Sequence, residues 1–352
     1  MSELPESEKD KLPEVPAVVP SPEELEEEDR FPREEYLLSL KDLPEEKLLQ
    51  ELSLLDAQGL LLAPGETLDA FVERLLRERR NIDALNKELA ETGEAEPLIG
   101  LKLKNDGRIP LSILEEGLDV TAEKYGFAAK WVPGFFPSSG LGVLWGGCSI
   151  SSTEETPTLF LIRSSFRKKE KYFIYSRKEL ISHESCHAVR VPIGDMTYEE
   201  HFAYAISSSP LRRYTGNCFK SEKDAILFLL PVFLLLLIQI MRVSFTPDLP
   251  AWPFWILAFV WPAFLVFVNI RERKQYFKAE TALKEAGVNN PSAVLFRCGE
   301  KEIVSFAACK STQETEALLR EKSREDLRWK VIAARFVSPV TETPENGKKE
   351  EE

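Results

Sequence analysis

Residues 177–191 read RKELISHESCHAVRV, and this stretch contains two of the three histidines in the 352-residue chain. His183 and His187 are four positions apart, and the stretch is predicted to form a helix. Positions i and i+4 of a helix lie on the same face, about one turn apart. The third histidine, His201, lies within nineteen residues of His183, counted inclusively. Such a concentration in a histidine-poor chain indicates a functional site rather than two surface side chains.

The segment from His183 to His187 has the spacing HExxH, with Glu184 beside the first histidine. Two imidazoles one helical turn apart can bind one Zn²⁺ ion at about 2.0–2.1 Å. Glu184 is predicted to be the general base that takes a proton from a metal-activated water. The motif therefore predicts a hydrolase with Zn²⁺ as its cofactor.

A catalytic zinc site needs a third protein ligand and one open position. Candidates lie downstream in residues 194–207, GDMTYEEHFAYAIS, where Gly194 can turn the chain into a second helix. The antiparallel return of this helix would bring a further ligand beside the histidine pair. The candidates are Glu199, Glu200, His201 and Asp195.

A non-enzymatic membrane protein is the alternative interpretation, with an interaction module whose zinc site is structural or lost. Structural zinc sites usually close with four protein ligands, often cysteines. Cys186 points about 60° away from His183 around the helix, which favours a core position for its side chain.

The motif and the residues after it resemble those of the gluzincin metallopeptidases. Several membrane-integrated members carry an E-x-x-A-D/N pattern on the helix that follows HExxH, and Glu200 to Ala203 match it through the alanine. The resemblance implies that Glu200 is the third ligand beside His183 and His187, and that Glu184 is the general base. It also implies an edge strand within 158–176 that aligns a peptide substrate.

Three features differ from the family pattern, and the resemblance covers only about residues 140–210. Tyr204 stands where the family usually has an acidic or amide residue that supports the ligand. The distance in sequence from His187 to Glu200 is short for these enzymes. The apolar hairpin follows the glutamate, whereas membrane-integrated members often place it before the glutamate.

Two long apolar segments lie at 225–243, containing AILFLLPVFLLLLIQI, and at 251–270, AWPFWILAFVWPAFLVFVNI. Each is long enough to cross a hydrocarbon core of about 30 Å. Lysines and arginines flank the outer ends of both segments, whereas the connecting loop has only Arg242 at its edge. The positive-inside rule then predicts a two-pass protein of the inner or plasma membrane with both termini in the cytoplasm.

Composition and pattern divide the chain into seven segments. They are a disordered acidic tail at 1–33, a helical region at 34–96, a zincin-like metallopeptidase domain at 97–210, a basic juxtamembrane segment at 211–224, the transmembrane hairpin at 225–270, a small cytoplasmic α/β module at 271–340 and a polar tail at 341–352.

Shorter elements are predicted within these segments. An apolar stripe from Leu68 to Leu89 predicts an amphipathic helix, which could pair with residues 48–55 as a helical hairpin. A helix is predicted at 110–125, and strands at 142–150, 158–165 and 171–175. The C-terminal module is predicted to have helices at about 272–286 and 312–328, with strands at 293–297 and 302–307.

The composition restricts the partners. A net charge of -13 opposes binding to nucleic-acid phosphates, and five cysteines without a CxxC pair indicate free thiols.

The predicted class is α+β, a zincin-like domain with N-terminal helices, a two-helix transmembrane hairpin and a small C-terminal α/β module. The predicted function is that of a membrane-anchored zinc endopeptidase acting on protein or peptide substrates at a lipid bilayer.

Overall fold

The structure is a computed structural model that describes residues 30–137, 146–172 and 174–337. The predicted tail at 341–352, all but four residues of the tail at 1–33, and residues 142–145 of a predicted strand lie outside the described residues. The described chain is mostly helical with small sheets, in agreement with the predicted α+β class.

The described residues form thirteen α-helices and seven short strands. The helices are α1 (Glu34–Ser39), α2 (Glu45–Ala57), α3 (Leu68–Thr92), α4 (Leu111–Tyr125), α5 (Arg177–Arg190), α6 (Glu199–Tyr204), α7 (Pro210–Thr215), α8 (Glu222–Ser244), α9 (Trp252–Glu285), α10 (Pro291–Phe296), α11 (Glu300–Ala308), α12 (Thr312–Glu325) and α13 (Leu327–Phe336). The strands are β1 (Glu94–Leu98), β2 (Leu101–Lys104), β3 (Gly134–Phe135), β4 (Gly147–Ile150), β5 (Leu159–Ile162), β6 (Lys171–Tyr172) and β7 (Tyr175–Ser176).

Helix α3 has the amphipathic pattern that the sequence predicts. Its apolar stripe, which includes Phe71, Leu75 and Leu89, is buried, and the Thr67 side chain caps its start. The helical hairpin considered between this helix and residues 48–55 does not form. Helix α2 packs mainly against α13, whereas α3 packs mainly against α1 and β1.

Helices α4 and α5 confirm the predicted helices at 110–125 and 177–191, and they pack closely. A methyl group added to Gly117 on α4 would lie only 2.5 Å from Ile181 Cγ2, so this close approach requires glycine. Ser182 Oγ donates a 2.9 Å hydrogen bond to the Gly117 carbonyl oxygen. The contact therefore fixes α5 at the residue directly before His183.

The largest sheet has three strands in the order β3-β5-β4, with β5 parallel to β3 and antiparallel to β4. Strands β4 and β5 confirm parts of the strands predicted at 142–150 and 158–165. The predicted strand at 171–175 is instead a two-stranded hairpin of β6 and β7. Among the described strands of this sheet, β3 and β4 are the outer ones. Strand β4 packs beside α5, and it lies outside the range 158–176 in which the resemblance implies an edge strand.

The two strands predicted in the C-terminal segment are wrong, because residues 293–297 and 302–307 belong largely to helices α10 and α11. The Asn290 side chain caps the Ala293 amide, and Pro291 occupies the first helical position of α10. Short apolar runs alone do not distinguish a buried strand from a buried helix. The described part of the predicted α/β module is thus helical, apart from an isolated bridge between Val288 and Val337.

Two helices of the described chain, Lys223–Ser244 and Trp252–Glu285, are long and apolar enough to cross a membrane. In the most apolar 18-residue stretch of each helix, only 6% and 17% of the residues are buried, whereas the core helix of a soluble protein is mostly buried. They contain the predicted span at 225–243 and all but the first residue of the span at 251–270, and they pack against each other.

Helix α9 unites two elements that the sequence predicts separately, the apolar span at 251–270 and a helix at about 272–286. Its 34 residues correspond to a length of about 51 Å, which exceeds the roughly 30 Å of a hydrocarbon core. Most apolar side chains of its first part are exposed, whereas Tyr276, Ala279 and Leu283 are buried. Helix α9 therefore extends from the apolar hairpin directly into the protein core.

One hydrophobic core includes side chains of the N-terminal helices, of α4 to α6 and of the C-terminal helices. A buried ion cluster crosses this core, in which Arg297 Nε donates to both Asp56 carboxylate oxygens at 2.9 Å and Arg335 also pairs with Asp56. Burial alone would raise the pKa of Asp56, but the two guanidinium groups outweigh it and lower the pKa below its ordinary value. The cluster therefore joins the N-terminal and C-terminal segments.

We expect Asp56→Asn to destabilise the full chain by about 3 kcal/mol, because it leaves buried guanidinium charges without their counter-ion. Thermal unfolding in detergent micelles measures this effect. The pKa of Asp56 is lowered on folding, so its ion pairs contribute stability above the unfolded-state pKa and lose it as the pH falls through the folded-state value. The variant should lack this acid-dependent loss.

The exposed pair between Lys330 and Glu45 offers a matched control. Glu45→Gln should leave the unfolding midpoint unchanged, because exposed ion pairs contribute little. Equal shifts in the two variants would contradict the structural role of Asp56.

Candidate metal centre

Helix α5 places His183 and His187 on one face, as their spacing predicts. The two Nε2 atoms are 3.1 Å apart, and the ring centroids are 4.8 Å apart. Two nitrogen atoms this close and pointing at each other form one half of a metal-binding arrangement.

The turn after α5 brings Glu200 to the same point. A short 3₁₀ segment, Val191–Ile193, ends at Gly194, whose φ of 65° reverses the chain before α6 begins. Glu200 Oε2 lies 3.7 Å from His183 Nε2, and Glu200 Oε1 lies 3.7 Å from His187 Nε2. The three side chains His183, His187 and Glu200 thus form a group whose ligand atoms lie within 4.8 Å of one another.

These distances fit a tetrahedral cation. Metal–ligand bonds of about 2.0–2.1 Å place the corners of a tetrahedron about 3.3 Å apart, close to the separations of 3.1 and 3.7 Å. Among the described residues, the group has three members and no fourth His, Cys, Asp or Glu ligand. A metal held here would keep one position open.

Glu184 is buried beside the histidines and, with His183, lines a cavity of about 200 Å³. Burial raises the pKa of this carboxyl to about 7; the nearby Glu200 adds to the rise and His187 opposes it. A methyl group on Gly147 of β4 would lie 3.0 Å from Glu184 Oε1, so the strand backbone approaches the carboxylate closely. The position of Glu184 is compatible with the general-base role expected for it.

Glu199 does not belong to the ligand group, although the sequence leaves it open as a third ligand. Its Oε1 lies 3.0 Å from His187 Nδ1, and its Oε2 accepts a 2.9 Å hydrogen bond from Arg190 Nε. A proton on Nδ1 leaves the lone pair of His187 Nε2 free to face a cation. Glu199 therefore orients His187, a candidate ligand, and does not itself belong to the ligand group.

The two imidazoles have opposite electrostatic environments. Burial, together with the nearby His187, lowers the pKa of His183 to about 3. Burial would also lower the pKa of His187, but the Glu199 hydrogen bond and the charges of Glu200 and Glu184 raise it to about 9. The carboxylates thus favour positive charge at this point, whether as a proton or as a metal ion.

Arg190 connects the site to the rest of the core. Its side chain is fully buried, pairs with Asp195 at 3.1 Å as well as with Glu199, and donates to the backbone carbonyls of Phe296 and Cys298. Asp195, another ligand candidate, is therefore committed to an ion pair away from the histidines.

His201, the remaining ligand candidate, is buried on another face of α6. Its ring centroid lies 4.4 Å from that of Tyr276 on α9, and burial lowers its pKa to about 3. The Tyr198 hydroxyl also contacts α9, where it lies 3.4 Å from the Glu272 carbonyl oxygen and from Gln275 Oε1.

Tyr204, in contrast to Tyr198, lies beside the histidine pair. Its ring centroid is 4.6 Å from that of His183, and burial raises the pKa of its hydroxyl to about 12, so the hydroxyl keeps its proton.

The structure adds residues that the sequence interpretation did not assign to the site. Arg190 lies three positions after His187 on the same helix, which is the only local sign of its role. Tyr175 and Arg212 line the cavity near His183, and Arg212 also pairs with Glu179 at 2.7 Å. No sequence pattern indicates these two residues.

Comparisons of the chain with protein-family models, with curated proteins and with solved structures found no match. The functional interpretation therefore depends on the geometry of the site.

Glu199→Gln should weaken metal binding about 10- to 100-fold, because it removes the charged acceptor that orients His187. Titration of the full chain with Zn²⁺ against a competing chelator measures the affinity. Glu200→Gln should cause a larger loss, since it removes a donor atom.

Glu123→Gln, at an exposed position on α4, is the control and should bind Zn²⁺ as the wild type does. Unchanged affinity in Glu199→Gln would contradict the orienting role of this carboxylate.

Proposed function

We propose that the chain is a membrane-anchored zinc endopeptidase with a zincin-like catalytic domain similar to that of gluzincins. The observation that supports this most directly is the convergence of His183, His187 and Glu200 beside the buried carboxylate of Glu184. Two imidazole nitrogens and one carboxylate form the donor set of a family of catalytic zinc sites. The proposed ligands and general base are those that the resemblance to gluzincins implies.

Zinc is the ion we assign to this donor set, because imidazole and carboxylate ligands in an open tetrahedral arrangement suit it. When bound, the ion would polarise a peptide carbonyl group and lower the pKa of a water molecule.

The protein side chains would supply the remaining functions. Glu184 would take a proton from the attacking water and deliver it to the leaving nitrogen of the scissile peptide bond. Tyr204, which keeps its hydroxyl proton and packs against His183, would donate a hydrogen bond to the developing oxyanion. Strand β4 lies beside Glu184 and could align an extended substrate by backbone hydrogen bonds.

The alternative of a purely structural site is less consistent with the geometry. Structural zinc sites close with four protein ligands, whereas the described residues provide three. The cavity lined by His183 and Glu184 would also give a substrate access to the site.

Membrane anchoring is proposed from helices α8 and α9. Their apolar side chains are mostly exposed, and water would disfavour such a surface. Lysines and arginines before α8 and in the second half of α9 favour the predicted orientation, with both termini in the cytoplasm.

Glu184→Gln should keep zinc but lower turnover by about 10²- to 10⁴-fold, because the proton acceptor is lost while the ligands remain. Cleavage of casein and a fluorogenic peptide by the purified full chain, together with measurement of its zinc content, tests this.

Glu200→Gln serves as the comparison and should lose both zinc and activity. If the wild type holds zinc but Glu184→Gln cleaves as fast, the proposed mechanism is wrong. Absence of cleavage by zinc-loaded wild type on both substrates would argue for the non-enzymatic alternative.

A further inference from the structure

A second cavity, of about 550 Å³, lies between the candidate metal centre and the apolar hairpin. Glu200 and Tyr204 line one side of it. Phe228 of α8 and Leu265 and Val266 of α9 line the other side. The same cavity therefore borders a candidate metal ligand and the two helices assigned to the bilayer.

The two cavities near the site adjoin each other. Tyr175, Tyr204 and Arg212 line both the larger cavity and the smaller one that contains His183 and Glu184. A chain lying in the larger cavity could thus continue past Tyr204 to the reactive side of the centre.

The depth of the larger cavity follows from helical rise. Val266 and Pro262 lie four and eight residues before the end of the apolar span at Ile270, which places them about 6 and 12 Å inside it. With the edge of a hydrocarbon core about 30 Å thick placed at Ile270, the cavity would reach into the outer part of that core.

The hairpin of β6 and β7 also borders this cavity. Ile174 between its strands is exposed and lines the cavity. Lys168, Lys169 and Lys171 precede it and are exposed. Exposed apolar side chains next to lysines suit the headgroup region of an anionic membrane surface.

We propose that this cavity is a lateral entrance through which the juxtamembrane segment of an integral membrane protein reaches the metal centre. The proposal depends on the proposed function, since it names the substrate class of that site. Such a segment is apolar where it leaves the bilayer, which fits Phe228, Leu265 and Val266. It is polar beyond that point, which fits Tyr204 and Arg212.

Polypeptide is favoured over a lipid as the occupant because of β4. This strand is one of the two outer strands of its sheet among the described strands and approaches Glu184 closely. An extended chain can pair with such a strand, whereas an acyl chain has no backbone donors or acceptors to offer.

Photo-crosslinking tests occupancy without requiring turnover. A benzophenone amino acid replaces Val266 in the full-length Glu184→Gln chain, reconstituted with a reporter that has one apolar span of about 20 residues and a polar segment on the catalytic side. The matched control carries the same amino acid at Val260, which lies on the same helix, is also exposed and does not line the cavity.

We expect the reporter to crosslink at position 266 and much less at position 260. Equal crosslinking at the two positions, or adducts with phospholipid alone at position 266, would overturn the proposal.

Activity gives a second measurement in the otherwise wild-type chain. Val266→Trp should lower cleavage of the membrane-tethered reporter about tenfold by filling the cavity, while Val260→Trp should leave it unchanged. Equal rates in both variants would contradict the entrance.

The two proposals fail separately. If Glu184→Gln cleaves soluble peptide as fast as wild type, the proposed function fails, and crosslinking at position 266 still decides whether the cavity binds membrane segments. If Glu184→Gln abolishes cleavage of soluble peptide and crosslinking is equal at both positions, only the lateral entrance is wrong.

Discussion

The candidate metal centre depends on the ion pairs and hydrogen bonds of the buried Arg190 guanidinium group. A buried charge is tolerated only when it is paired and hydrogen-bonded. Arg190 meets this requirement with Glu199 on α6, Asp195 in the preceding turn and the carbonyls of Phe296 and Cys298. Because these partners come from separate segments, satisfying one cation fixes α6 beside α5, and Glu199 then orients His187.

Helix α9 provides the second constraint, because it belongs to both the apolar hairpin and the core. Tyr276 packs against His201, which directly follows the candidate ligand Glu200 in sequence. Nearer the hairpin, Glu272 accepts a 3.0 Å hydrogen bond from Asn217, and Asn269 donates a 2.8 Å hydrogen bond to the Tyr214 carbonyl. The hairpin and the site are thus connected by a continuous helix and polar contacts, which fix the position of the site relative to the hairpin.

Much of the site could be predicted from local pattern. The pairing of His183 and His187 requires only helical periodicity, and Glu200 matched a short family-like pattern. Local pattern does not decide between Glu199 and Glu200, because adjacent helical residues point about 100° apart. Which one faces the histidines depends on how α6 is rotated, and Arg190 sets that rotation by pairing with Glu199. The second cavity could not be predicted, since it lies between segments distant in sequence.

The sequence by itself determined the helix of His183 and His187, the two apolar segments and the turn at Gly194. Each of these depends on the periodicity, length or backbone preference of a single segment. Tertiary structure decided that residues 293–297 and 302–307 are helical, that α9 continues into the core and that Glu199 supports His187 while Glu200 faces the ligand position. These outcomes depend on contacts such as that between Arg190 and Phe296, which are 106 residues apart. No local pattern encodes such a pairing, because its free energy arises only when the distant segments are buried together.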